Sequence, residues 1–216
     1  MAELTRIRAD TTTIADHRLL RYTAEIVNLG AGPFEAQGSR ADTSITNMTV
    51  SQRIYDDAGG SVMSPVSDYM FWAGDGHNHW HLADLEGGVL TSSDNGVQVG
   101  TSAKQGFHFA DGTPFDLTLP NAPPAPVYKP CGGRSCNISA LHVTMGMSIG
   151  WADIYYASVA YQWIDITGLA NGKYILTVTA DPDHYFVETD TSNNWASATV
   201  NITSTGVKVL GYDGGA

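Results

Sequence analysis

Three of the chain's seven histidines fall in one run, Gly76-His77-Asn78-His79-Trp80-His81, at alternate positions. Neutral imidazole is a common ligand for transition metals, and imidazole-only sets suit copper or zinc. In a β-strand the period of two puts His77, His79 and His81 on one face, whereas a helix would scatter them. Alternate strand residues stand roughly 6.6–7 Å apart, while a metal–nitrogen bond is about 2.0–2.1 Å. Three such rings converge on one ion if the strand is bent or bulged, or through mixed use of Nδ1 and Nε2, and Gly74 and Gly76 sit where a bend would be made. The competing reading, exposed histidines on a polar face, suits a lone His better than three in a histidine-poor chain. Spacing alone does not choose between copper and zinc. Hydrolytic zinc chemistry ranks last, because no Glu stands at metalloprotease spacing.

The elements that must position these residues read as strands. The chain has 216 residues with 23 Gly and 9 Pro, enough for one domain spanning 1–216 with a real core. Leu19–Val27 is apolar and β-branched and ends in the turn-rich residues 28–33. Residues 44–54, 174–180 and 195–202 read the same way. Asp94-Asn95-Gly96 lies between two short apolar runs and signals a hairpin. Residues 111–135, rich in Pro and Gly, read as a long surface loop. The fold class predicted is all-β, a β-sandwich of mainly antiparallel strands with long loops.

A formal charge of −11 argues against nucleic acid as a partner and fits an amine or a lysine-rich surface, although acidity also simply aids solubility. No run of 18 apolar residues is present, so no membrane span is expected. No basic segment leads into an apolar one near Met1, so no leader is expected in this chain. Cys131 and Cys136 flank four residues, short enough for a local disulfide in an oxidising compartment, with free thiols the other reading.

The histidine run resembles the copper-binding run of the lysyl oxidase family, particularly its bacterial branch. Further matches follow in the family's order. They are Asp16-His17-Arg18-Leu19-Leu20-Arg21-Tyr22, Gly150-Trp151-Ala152-Asp153-Ile154-Tyr155, and Gln162-Trp163-Ile164-Asp165-Ile166-Thr167. Asp181-Pro182 comes next, with Glu188-Thr189-Asp190-Thr191-Ser192-Asn193-Asn194 after it. Together they span nearly the whole chain.

The resemblance implies copper on His77, His79 and His81. It also implies a built-in organic cofactor, lysyl tyrosylquinone, made from Lys104 and Tyr155. The implied reaction is oxidative deamination of a primary amine or a lysine-bearing protein by dioxygen, giving an aldehyde and hydrogen peroxide. Asp153 shares a face with Tyr155 if extended and is a candidate base, with structural pairing the alternative. Glu188, Asp190, Asn193 and Asn194 match a calcium loop of the family, and their hard oxygens suit that ion. The location implied is extracellular or surface-exposed. The rival reading is a non-catalytic metal-binding β-sandwich module of a cell surface or virus particle. Two departures stand out. His108 occupies the place of a common cysteine, and could be an extra ligand, a neighbouring base or a tolerated replacement. Glu86-Gly87-Gly88 replaces a downstream histidine of the animal enzymes.

Overall fold

The computed structural model describes residues 1–74, 76–130 and 136–215, and every regular element among them is a strand. In the first sheet β1 (Ala2–Asp10) lies along one edge of β2 (Leu19–Val27). The other edge of β2 takes β11 (Trp151–Tyr155) and β12 (Trp163–Asp165), and β9 (Thr113–Pro114) pairs with β11. The second sheet runs β10 (His142–Met147), β3 (Phe34–Ser39), β4 (Met48–Tyr55), β5 (Ser61–Trp72), β6 (Trp80–Leu82). The third runs β15 (Gly206–Gly214), β14 (Trp195–Thr203), β13 (Gly172–Ala180), β7 (Glu86–Ser92), β8 (Gln98–Thr101). All strand pairings among the described residues are antiparallel.

Burial explains the patterns in the sequence. β2 is buried along nearly its whole length, as a near-continuous apolar strand must be when both its faces and both its edges are covered. β13 and β14 alternate strictly, so each turns one face to the core. One cluster joins residues of all three sheets, among them Tyr22, Met48, Trp80, Leu90, Phe107 and Val200. The chain is therefore all-β, as its composition predicts.

Three expectations need correction or limits. β4 starts at Met48 rather than at 44, because Asp42 Oδ1 accepts bonds from the Ser44 backbone N–H and hydroxyl and holds that stretch in a turn. The loop after residue 110 carries the short strand β9 and is anchored by buried Asp111, which accepts from the N–H groups of Val127, Tyr128 and Ser148. The proposed disulfide involves Cys131, which lies outside the described residues.

Candidate metal and cofactor site

The histidine run is not a continuous strand. β5 and β6 form a hairpin in which Phe71 faces His81 and Trp72 faces Trp80, so His77 and His79 lie in the connection and only His81 on a strand. The backbone turns back on itself there: Gly76 has φ +94° and Asn78 φ +55°, and the Ala73 N–H donates to the His79 carbonyl at 2.9 Å. These left-handed positions are what glycine and asparagine tolerate best. The reason is geometric, since a regular strand keeps alternate side chains too far apart for one ion. Bent in this way, the three histidines bring ligand nitrogens within 4.8 Å of one another. Ring centroids are 4.8 Å apart for His79–His81, 5.5 Å for His77–His79 and 5.7 Å for His77–His81.

Trp80 fixes the turn. Its side chain is fully buried, its indole N–H donates to the Asn137 carbonyl at 2.9 Å, and the Arg40 guanidinium covers the ring. His81 beside it is buried, and its Nδ1 has no hydrogen-bond partner. Burial, then the charge of Lys104, push its pKa down to about 2, so the imidazole stays neutral with its lone pair available. A fourth ring joins the group: His108 lies edge-on to His79 at 4.9 Å, with its Nε2 buried and unpartnered. Burial lowers its pKa to about 4.

Residues 103–110 form no strand, and an isolated bridge joins Phe107 to Leu82. Gly106 at φ +76° turns the backbone in the middle of this segment. Lys104 is buried, with Nζ 5.1 Å from the centre of the Phe107 ring. Tyr155 meets the same ring edge-on at 4.7 Å, and its hydroxyl donates to the His108 carbonyl at 3.2 Å. The segment 104–108 therefore carries Lys104 and meets His79 through His108 and Tyr155 through Phe107.

Two carboxyls complete the site. Asp153 lies two residues before Tyr155 on β11, and burial raises its pKa to about 7. Burial likewise raises Glu86 to about 8. Burial and then the Asp153 charge lift the Tyr155 phenol well above its ordinary value. Glu86 is the residue that sequence reasoning missed as part of the site; a Glu before two glycines in a strand carries no motif.

The acidic loop before β14 lies elsewhere. Glu188 Oε1 accepts from the Asn194 amide at 2.6 Å, while Asp190 Oδ1 is bonded to the Ser192 N–H and hydroxyl. Asn194 Oδ1 is buried without a partner. Glu188, Asp190 and Asn193 line a cavity of about 690 Å³.

Fold and site define an all-β protein with converging imidazoles beside a buried lysine, tyrosine and two carboxyls. Residues 133–211 match the sequence model of the lysyl oxidase family, a stretch that holds Asp153, Tyr155 and the acidic loop. The chain is 26% identical over 177 residues to lysyl oxidase homolog 3B of Danio rerio, covering 82% of this chain and 17% of that protein. It is 47% identical over 51 residues to protein-lysine 6-oxidase of Sus scrofa, 24% of this chain and 20% of the relative. It is 40% identical over 60 residues to lysyl oxidase homolog 1 of Homo sapiens, 28% and 10%. The resemblance seen in the sequence thus holds, and over these stretches the chain is similar to the lysyl oxidases. The matches span a fifth or less of these relatives' length.

Proposed function

We propose that this chain is a copper- and quinone-dependent amine oxidase, acting on peptidyl lysine or small primary amines and releasing aldehyde and hydrogen peroxide. The observation that carries this reading is the meeting of His79, Lys104 and Tyr155 around the segment 104–108. The relatives' names, protein-lysine 6-oxidase and lysyl oxidase homolog, support it.

His77, His79 and His81 would hold copper: their nitrogens converge, and buried His81 offers an unpartnered Nδ1. Lys104 and Tyr155 would be the parents of lysyl tyrosylquinone. Copper and the quinone, held there, would supply the two-electron oxidation of the amine, with dioxygen as the final oxidant. Phe107 orients both parent side chains and keeps water from them. Asp153, with a pKa near neutral, is suited to take a proton from the substrate carbon at a carboxylate oxygen. Glu188, Asp190, Asn193 and Asn194 would hold calcium and stiffen the turn into β14. An acidic surface suits a cationic substrate, and the location proposed is extracellular or surface-exposed. No helix among the described residues is long and apolar enough to cross a membrane.

The test is intact and peptide mass after copper and oxygen treatment, then a peroxide assay with simple amines. Expected are a gain of oxygen, a loss of hydrogens and a Lys104–Tyr155 cross-linked peptide, all absent in Lys104→Ala and Tyr155→Phe. Bound copper with an unmodified Tyr155 and no peroxide would overturn the oxidase reading and leave a non-catalytic metal-binding module.

A further inference from the structure

His79 stands between two rings. His81 lies on one side with centroids 4.8 Å apart, and His108 lies edge-on at 4.9 Å with the planes at 69°. Each of these neighbours carries a ring nitrogen that is buried without a hydrogen-bond partner, Nδ1 in His81 and Nε2 in His108. Unsatisfied buried polar atoms are rare in a folded chain, and two of them around one histidine call for a reason. Packing alone does not supply it, since a phenylalanine at 108 would fill the place without leaving a polar atom unpaired. A metal does supply it, because the lone pair of a neutral imidazole is satisfied by coordination as well as by a hydrogen bond. The spacing agrees. In a bound imidazole the ring centre sits about 3.1 Å from the ion, so two rings at roughly 90–135° about one ion have centres about 4.4–5.7 Å apart. The His79–His108 separation of 4.9 Å falls in that range, as do the three separations within the run.

We propose that His108 Nε2 is a fourth nitrogen ligand of the copper assigned to His77, His79 and His81. This inference rests on the copper reading of that site and adds to it a ligand from outside the run. Copper(II) favours a tetragonal set of four nitrogen or oxygen ligands, and the run supplies three. The nitrogens that already lie within 4.8 Å of one another are those of the run, so His108 joins them by turning its ring. A cavity of about 220 Å³ beside it, lined among others by Tyr128, Met145 and Gly146, gives the ring room to turn. The backbone carbonyl of the same residue accepts the Tyr155 hydroxyl at 3.2 Å. A ligand at 108 thus ties the metal to the tyrosine of the proposed cofactor through a single residue. Four equatorial ligands still leave a tetragonal ion its axial places, so the fourth imidazole does not close it to dioxygen.

The experiment loads wild type and His108→Phe with copper(II) without oxygen, so that Tyr155 stays unmodified, and counts the bound imidazoles by pulsed electron paramagnetic resonance. Unfolding curves first show that the variant is folded. Expected are four imidazoles in wild type and three in His108→Phe. Copper affinity of the variant should fall by at least about 100-fold, the upper end of what disturbing a group that only supports a ligand costs. A merely structural role for His108 would lower stability and leave the imidazole count unchanged. An equal count in the two proteins, three or four, would overturn the assignment of His108 and leave the three-histidine site standing. A wild type that takes up no copper, or binds it without imidazole, would overturn the copper reading and this assignment with it. Should His108→Phe not fold, the wild-type count decides, four imidazoles for the assignment and three against it.

Discussion

Gly106 sits where the segment 104–108 packs against Phe71 and His81, and replacing it with alanine tests whether that contact matters. Gly106 has φ +76°, and a Cβ there would lie 2.5 Å from two ring carbons of Phe71 and 2.9 Å from the His81 Cβ. Gly168 has the same φ of +76° with nothing within 4 Å, so it isolates the backbone term. A left-handed alanine costs about 1–2 kcal/mol, which is all that Gly168→Ala should lose. Gly106→Ala adds overpacking of about 1–3 kcal/mol, for a total of about 2–5 kcal/mol. In a chain of this size each kcal/mol moves Tm by about 2–4 °C. Gly168→Ala should therefore melt about 2–8 °C below wild type, with Gly106→Ala clearly lower still. The larger effect concerns the copper proposed on the three histidines. The Phe71 ring and the His81 backbone must give way, and metal sites tolerate displacements of only about 0.2 Å. Copper affinity in Gly106→Ala should drop about 10–100-fold, as it does when groups supporting a ligand are disturbed, and stay unchanged in Gly168→Ala. Calorimetric melting and copper(II) titration of both variants measure this. Equal melting losses in the two variants, or wild-type copper affinity in Gly106→Ala, would refute the reasoning.

Two further outcomes follow from buried charge. Arg21 donates from Nε to Asp10 at 2.5 Å in a buried pair and stacks over Trp163, so Arg21→Met should cost about 3–5 kcal/mol in urea unfolding at pH 7. The bond from Thr13, then others including that of Arg21, hold the Asp10 carboxyl far below the ordinary range. Its contribution is present above that range and lost as pH falls through the folded value, so the gap between variant and wild type should narrow in strong acid. A difference under about 1 kcal/mol at pH 7 would contradict the pairing. Glu86 and Asp153 act in the opposite sense. Burial raises them to about 8 and about 7, so the folded chain keeps protons that the unfolded chain releases. Copper-free wild type should lose stability as pH rises from the ordinary carboxylate range to about 8, by on the order of a few kcal/mol. Glu86→Gln combined with Asp153→Asn should flatten that profile, and a flat wild-type profile would count against both burial effects.

The strands that bury regular faces were legible in the sequence. β2 coincides with the apolar run that predicts it, and β13 and β14 overlap theirs to within two residues. The hairpin at Asn95-Gly96 joins β7 to β8, with Gly96 at φ +69° as that turn requires. Convergence of the histidines was legible in kind but not in form. Alternation suggested a strand, while the left-handed conformation of Asn78 depends on the hairpin that β5 and β6 close around it. Asp153 and Tyr155 do share a face because β11 is a true strand. Lys104 and His108 do not sit on one strand, since Gly106 turns the chain between them. Glu86 was invisible for a different reason. Its neighbours Gln162, Tyr22 and Lys104 come from three distant segments, and only packing reveals that a carboxyl was buried among them.

The contact of Lys104 and Tyr155 with a single phenylalanine ring has a consequence for the unfolded chain as well. A covalent bond between residues 104 and 155 closes a loop of roughly fifty residues, and such a closure removes chain entropy worth about 4 kcal/mol from the denatured ensemble, as a disulfide would. On the proposed function, that bond would also be a stapling event, tying the segment behind the β5–β6 hairpin to the sheet that holds β11. A chain that has completed it should resist denaturant better than one that has not, even after copper is stripped away.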